Sequence, residues 1–545
     1  MGASAGRIRV HENEPSILLG EPRIRDGREI ELRLRAPAEA LAALPFRAVL
    51  AERALDRPRR RNLVSVYYDT PDRALLARGL ALRVRSDGSG FGQTLEAASE
   101  GAGAIADRAQ WEVPIARAIP DLSAFAGTRA HALLDAVAPD RLAPVFETRI
   151  ERTELRVGWP ERSRPRGVVE VALDRGSIRA DGREEPVAEI ELELRKGDKS
   201  ALLGLAERLR GELPLALEIR DKASRGWALA AGILPSPVKA GRPELDPRAT
   251  VGEAFVRLGL SCLAHWLGNE PSLRASGDPE AAHQLRVGLR RLRSLLSLFR
   301  PVLPEAERAR LVEETRWLLR EVAPLRDLDV LALELVAPLR AEELFGGEIA
   351  ALQDALAERR PALLARARAA LDSRRCTDLA LDLLFWLELG RFRGAAEEPS
   401  RELLDRPVLP FARSVLERQW RKVRKRGRDF DRLDAEGRHA LRIAIKKLRY
   451  GVEFFGSLWP GSGPRKYARL LAELQDHLGG LNDVAVAARQ VRALVAELEP
   501  DLPVRSVVLG AGAVLGWHAR AARKALARAR DGWDALAASA PFWDD

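Results

Sequence analysis

The chain of 545 residues contains only two cysteines, Cys262 and Cys376. That excludes a disulfide framework and a cysteine-based zinc site, and it suits a reducing compartment. Residues 1–10 show no apolar stretch of the kind that begins a signal peptide, and no run of about 18 apolar residues predicts a membrane span. Aromatic residues are 5% of the chain and scattered, so a basic-aromatic stacking platform for nucleic acid is missing. No phosphate-binding P-loop, His-Glu-x-x-His zinc motif or Gly-x-Ser-x-Gly nucleophile motif occurs. These absences point to a cytoplasmic protein without a familiar nucleotide, protease or hydrolase signature.

What is abundant is arginine, 79 residues against 10 lysines, for a formal net charge of +10. Such a balance suits an anionic partner, and guanidinium forks match phosphate oxygens bidentately. Genomic base composition accounts for much of the bulk count, so position has to carry the argument. The length exceeds what one hydrophobic core supports, and two or more domains are expected.

Two patterns divide the chain. Up to about residue 235, alternating β-branched stretches recur at Glu29–Arg35, Leu63–Tyr68, Ala81–Arg85, Val168–Asp174 and Ala188–Arg195. Turn pairs Asp26-Gly27, Asp87-Gly88 and Asp181-Gly182 separate many of them, with helical segments near Ala38–Leu44, Ala130–Val137 and Ser200–Leu209. This predicts an antiparallel sheet or barrel with helices packed outside. Gly88-Ser-Gly-Phe-Gly92 reads as a hairpin loop, not a phosphate cradle. Pro235-Ser-Pro237 and Gly241-Arg-Pro243 mark a linker over 234–246, and from Thr250 onward the period is almost wholly helical. The fold class expected is α+β followed by all-α.

Strand alternation sorts the charges of the first part. Glu29, Glu31 and Arg33 share one face of a strand while Ile30, Leu32 and Leu34 take the other. The same holds for Arg83 with Arg85, for Arg108, Gln110 and Glu112, for Glu170 with Asp174, and for Glu189, Glu191 and Glu193. One such strand is usually a solvated sheet face. Recurrence of both signs argues instead for a charge-lined lumen, in which arginines grip phosphate oxygens and paired carboxylates hold Mg²⁺ or Mn²⁺ bridging those oxygens.

These motifs occur in the order Glu29-x-Glu31-x-Arg33, Tyr67-Tyr-Asp-Thr-Pro71, Gly79-Leu-Ala-Leu-Arg-Val-Arg85, Gln93-Thr-Leu95, Trp111-Glu112, Pro144-Val-Phe-x-Thr-Arg149, Leu173-Asp-Arg-Gly176, Glu189-Ile-Glu-Leu-Glu193 and Lys222-x-x-Arg225-Gly226. Over residues 25–233 the chain thereby resembles the CYTH domain, or triphosphate tunnel metalloenzyme fold. The resemblance implies an eight-stranded antiparallel tunnel and metal-assisted hydrolysis of triphosphate-containing substrates. The family includes inorganic triphosphatases, thiamine-triphosphatases and a class of adenylate cyclase. Carried onto this chain, the resemblance assigns Glu29, Glu31 and Arg33 to catalysis. It assigns Arg83, Arg85, Arg108, Arg149 and Lys222 to substrate, and Glu29, Glu31, Glu189, Glu191 and Glu193 to Mg or Mn. The chain departs from the pattern at Arg33 and Glu96, where the family has lysine, and at Gln110, where it has glutamate. A carboxylate at 96 reverses a charge in the phosphate site if it faces inward. Weakened turnover is therefore expected, with a non-catalytic polyphosphate-binding or targeting protein as the alternative.

The helical part contains an internal repeat. His283-Gln-Leu-Arg286-Val-Gly-Leu-Arg290-Arg291-Leu-Arg293 matches His439-Ala-Leu-Arg442-Ile-Ala-Ile-Lys446-Lys447-Leu-Arg449, and Leu325-Arg-Asp327 matches Leu481-Asn-Asp483, both at an offset of 156 residues. On a helix the basic positions adjoin the arc of Leu285, Leu289, Leu292 and Leu296, flanking a buried seam where a merely solvated face would lie opposite it. A His–Asp partnership through Asp327 or Asp483 is one reading. The repeats are expected at about 250–395 and 405–530, within a helical domain at 247–530. This part resembles the CHAD domain, which implies a pseudo-twofold helical bundle that binds inorganic polyphosphate. The residues so implied are His283, Arg286, Arg290, Arg291, Arg293, His439, Arg442, Lys446, Lys447 and Arg449. Both halves are thus expected to handle linear phosphate, with inorganic triphosphate or polyphosphate as partner and polyphosphate granules as a place of association.

Overall fold

The computed structural model describes residues 25–97, 105–340, 345–394, 398–497 and 504–544. Side chains of 25–28, 481–485, 497 and 522–523 also lie outside the description, and with them Asn482 and Asp483 of the second repeat. The chain divides between Ile233 and Leu234 into two compact units.

The first unit is a closed antiparallel barrel. Its strands are β1 (Arg25–Arg35), β2 (Arg59–Asp69), β3 (Leu80–Ser86), β4 (Phe91–Ala97), β5 (Ile105–Ile115), β6 (Ala143–Trp159), β7 (Gly167–Ala180) and β8 (Arg183–Lys196). They run in the order β5-β4-β3-β2-β6-β7-β8-β1, and β1 closes the ring on β5; a short β9 (Ala216–Leu217) adds to β1. Closure removes the sheet edges that would otherwise be open to another chain. Asp181 and Gly182, both at positive φ, make the tight β7–β8 hairpin, and Asp87-Gly88 lies in the β3–β4 connection. Asp26-Gly27 is different. It lies inside β1, opposite Trp111 and Gln110, because the barrel needs β1 long enough to reach both neighbours.

Apolar residues sit outside the sheet. Leu82, Val84, Leu95 and Trp111 pack with Phe125 and with Ala130 and Leu134 of α2 (Arg129–Leu134), and Leu32 and Leu34 are fully buried. Outer helices α1 (Ala38–Ala43) and α3 (Lys199–Glu212) pack against β7 and β8. The inner strand face is therefore free to be polar. At one end it is not polar. There Leu63, Tyr67, Phe146, Ile150, Ile178 and Val187 pack on Ala223 and Trp227 of α4 (Lys222–Ala231). Tyr67 stacks on Phe146 at 4.3 Å, and Trp227 meets Phe146 edge-on at 5.5 Å.

From Val251 the second unit is built of helices: α5 (Val251–Ala275), α6 (Pro279–Leu298), α7 (Glu305–Asp329), α8 (Gly346–Asp372), α9 (Arg374–Glu388), α10 (Val408–Gly427), α11 (Ala435–Phe455), α12 (Gly463–Glu497) and α13 (Val504–Ala538), with shorter turns between. A Thr250–Glu253 capping box starts α5. Asp278 caps α6 and Asp434 caps α11, and these two caps again differ by 156 in number. The segment 234–246 is bonded into this unit. The Asn269 side chain accepts from Val238 N and donates to Val238 O, both at 2.9 Å, and Leu245 N donates to Ser457 Oγ at 3.0 Å. Among the described residues no helix is long and apolar enough to cross a membrane.

Candidate functional site

Residues directly opposite one another in an antiparallel ladder share a face. The register sets Glu29 against Arg108, Glu31 against Glu193 and Arg33 against Glu191. It sets Arg83 against Thr94, Thr94 against Glu112, Ala81 against Glu96, and Arg152 against Asp174. One continuous face thus gathers charges from β1 and from β3 to β8 on the inside of the barrel. The buried Asp69 carboxylate fixes the turn that follows β2, accepting from the backbone N–H groups of Thr70, Leu75 and Leu76 at 2.7, 2.9 and 3.1 Å.

Two networks fill the lumen. In the first, Arg108 is the hub. It donates from Nε to Glu29 at 2.8 Å, and its Nη2 and Nη1 lie 3.3 Å from Glu31 and from Glu96. Arg33 bonds Glu31 at 2.9 Å, and the Gln110 amide, turned with its nitrogen toward β1, donates to Glu29 at 2.6 Å. In the second, Arg152 makes a fork on Asp174 at 2.7 and 2.6 Å and reaches Glu191. Lys222, brought in at the start of α4, meets Asp174 at 2.9 Å, Glu189 at 3.1 Å and Glu191 at 2.5 Å, while Arg225 holds Glu189 and Glu185.

The electrostatics are uneven. Burial, then Glu191 and Glu29, push the Glu31 carboxyl up to about 7, against the pull of Arg33 and Arg108. Burial, then Glu29, Glu170 and Glu31, push Glu193 up to about 8, against Arg195. Although burial opposes ionisation, Arg108 and Arg83 hold Glu96 below the ordinary carboxylate range. Arg85 is lowered to about 10 by burial and by the neighbouring Arg83 and Arg152; its hydrogen bond goes to Ser65 Oγ at 3.1 Å, and among the described residues it has no ion pair.

Among the described residues, no group of three or more His, Cys, Asp or Glu side chains stands assembled to hold a metal. The expected carboxylates Glu29, Glu31, Glu189, Glu191 and Glu193 are all present in the lumen, but arginine and lysine engage each of them.

Arg149 is corrected by the structure. Its side chain is 56% exposed, on the outer face beside Val64, and bonds Glu147. On β6 the inward residues are Phe146, Thr148, Ile150 and Arg152, so Arg149 falls on the odd, outward parity. Arg152, with 14% of its side chain exposed, is the arginine that β6 sends inward. The pairing of Glu96 with two inward arginines puts its carboxylate inside the lumen, not outside it.

In the helical unit, α6 and α11 pack together and bring the two copies of the motif side by side. Arg286 and Arg290 of α6 lie near Arg442, Lys446 and Arg449 of α11. Burial, then Arg290, Arg442, Arg449 and Arg286, pull the Lys446 ammonium down to about 7. Lys447 lies among Lys422, Arg426 and Arg293, a second basic group shared with α10. Two expectations fail here. Arg291 is only 2% exposed; it stacks on Phe454 at 5.5 Å and points to the Gly241 carbonyl, on the seam side of α6, away from the basic arc. Asp327 pairs with Arg286 at 2.6 Å, not with His283, because the longer guanidinium spans the gap to α7. His283 is half-buried, with its pKa lowered by burial and by Arg326 and Arg290, and His439 is exposed.

Sequence reasoning missed Arg152 and the inward role of Asp221, which lies 3.6 Å from Arg108. The parity of β6 counted from the aromatic Phe146 would have found the first. No sequence signal marks the second.

Comparison with known proteins agrees with this division. The chain is 28% identical over 203 residues to an inorganic triphosphatase of Haemophilus influenzae, a match covering 37% of this chain and 55% of that protein, so the chain spans about half the length of this curated relative. A crystal structure of the CHAD domain from the plant Ricinus communis is 32% identical, covering 56% of this chain and 98% of that one, with a TM-score of 0.48. A Hippeastrum protein assigned as an adenylyl cyclase and described as having a dominant triphosphatase activity is 18% identical, covering 38% and 97% of the two chains, with a TM-score of 0.29. The CYTH domain family matches residues 27–226 and the CHAD domain family residues 257–492: the chain is a CYTH domain joined to a CHAD domain.

Proposed function

We propose that the chain binds condensed inorganic phosphate in both units and hydrolyses inorganic triphosphate in the tunnel with a divalent cation, at a reduced rate. The observation that carries this reading is the closed lumen, where Arg33, Arg83, Arg85, Arg108, Arg152 and Lys222 face carboxylates from β1, β7 and β8. Arg85, half-buried and, among the described residues, without an ion pair, is the seat best prepared for an anion.

The donor set fits a hard divalent cation. All its ligands are carboxylate oxygens, and the crowding that raises Glu31 and Glu193 is relieved by positive charge among them. Glu29, Glu31 and Glu193 would hold it, with Glu189 and Glu191 beyond. When bound, such a cation draws charge from phosphate oxygens. Arg33 keeps Glu31 in place, Arg83 and Arg85 orient the phosphate chain, and Lys222 neutralises the far end. In the helical unit the crowded cations of α6 and α11, in what we read as duplicated repeats, are relieved by a polyanion. A cytoplasmic setting among polyphosphate follows from this reading.

The test is phosphate release from tripolyphosphate by the purified chain with and without Mg²⁺ or Mn²⁺. Release that needs the cation supports the reading. Binding without release favours the second reading, a non-catalytic polyphosphate-binding protein, for which the engagement of Glu96 with Arg83 and Arg108 speaks.

A further inference from the structure

Glu96 sits where two guanidiniums converge. Its Oε1 lies 2.9 Å from Arg83 Nη2 and its Oε2 lies 3.3 Å from Arg108 Nη1. Arg83 also donates to the Tyr67 hydroxyl at 3.3 Å, and Arg108 holds Glu29 and Glu31. A carboxylate bridging two forks imitates a phosphate group, which offers the same forks paired anionic oxygens. Next along β3 stands Arg85, inward, half-buried and, among the described residues, bonded only to a serine hydroxyl. Among the described residues the lumen therefore has one arginine pair already filled by an anion of the chain and one arginine without an ion pair.

Resting on the condensed-phosphate reading of the tunnel, we propose that Glu96 is a built-in occupant of one phosphate seat. Its carboxylate stands between Arg83 and Arg108 where one phosphate of a triphosphate would stand. The ligand the tunnel prefers is then one phosphate shorter: pyrophosphate rather than tripolyphosphate. A triphosphate must displace a buried, doubly paired carboxylate and lie beside it, and at that range like charges repel strongly. Pyrophosphate engages Arg85 and leaves the Glu96 pairings intact.

Calorimetric titration of the full chain with each phosphate, without divalent cation, tests this. The share due to the tunnel is the binding lost in Arg85→Met. In the wild type this share should be at least as tight for pyrophosphate as for tripolyphosphate. Glu96→Gln should tighten tripolyphosphate by about tenfold and pyrophosphate much less. Wild-type preference for tripolyphosphate by about tenfold, or equal tightening of both ligands in Glu96→Gln, overturns the proposal. If no binding of either ligand depends on Arg85, the condensed-phosphate reading itself fails and the proposal with it. The wild-type comparison needs no substitution at 96, so it decides even if Glu96→Gln does not fold.

Discussion

At the scale of single residues, the lumen is decided by which charge each carboxylate and guanidinium finds. Glu96→Lys would remove the anion between Arg83 and Arg108 and restore a cation beside the transferring phosphate. Tripolyphosphate hydrolysis at matched Mg²⁺ should rise; a wild type already fast, with a variant no faster, would show that Glu96 does not oppose catalysis. Arg149 and Arg152 make a second contrast. Arg152→Met leaves Asp174 and Glu191 with Lys222 alone and should cost about 3 kcal/mol in urea unfolding, as loss of a buried partner does. Arg149→Met, on the outer face, should leave the urea midpoint essentially unchanged. Equal effects would contradict the assignment of faces. Alternation alone separated Glu29, Glu31 and Arg33 from Leu32 and Leu34, because period-two patterning is a local property that the chain spells out. Arg149 was misplaced because a motif names positions without saying which face they take. Arg291 was misplaced because the basic stripe on α6 touches its buried seam, and only the packing of Phe454 and Gly241 decides which side of that border a residue falls on.

At the scale of elements, α4 and the pair α6–α11 matter most. Gly226 lies where α4 crosses Phe146, and a Cβ there would come 2.0 Å from the ring. Gly226→Ala should therefore displace α4, cost about 1–3 kcal/mol and weaken phosphate binding by moving Lys222, both read by urea unfolding and titration of one sample. Unchanged stability would mean that the helix is less tightly seated than its contacts indicate. The α6–α11 pair predicts a pH dependence. Free Lys446, facing Arg286 and Arg290 on α6 and Arg442 and Arg449 on its own helix, titrates near 7, and a bound polyanion raises that value. If polyphosphate binds here as proposed, binding should take up a proton above pH 7, and the affinity should be highest below 7 and decline as pH rises toward the bound value. Lys446→Arg, charged throughout, should flatten that decline in titrations from pH 6.5 to 9. A wild-type profile already as flat as the variant's would remove Lys446 from the binding surface. The helix identities were readable from period and caps; the pairing of α6 with α11 was not, since contact between elements 156 positions apart leaves only a repeated motif as its trace.

At the scale of the molecule, a barrel and a helical unit offer cationic sites built by different means. Arg85→Met and Lys446→Gln should therefore lower phosphate binding at separate sites, and their effects on the two components of a titration should be independent. A double variant whose loss in either component exceeds that of the single variant would show coupling. One architectural detail bears on what such a barrel can take in. Helix α4 packs Ala223 and Trp227 against the apolar inner face at one end, with Tyr67 and Phe146 behind them. A bore stoppered in this way is a socket and not a pipe. A polymer cannot be threaded through it at that end, so a long phosphate chain would be met by its terminus, its length counted inward from the tip, with the remainder left outside the mouth by which it entered.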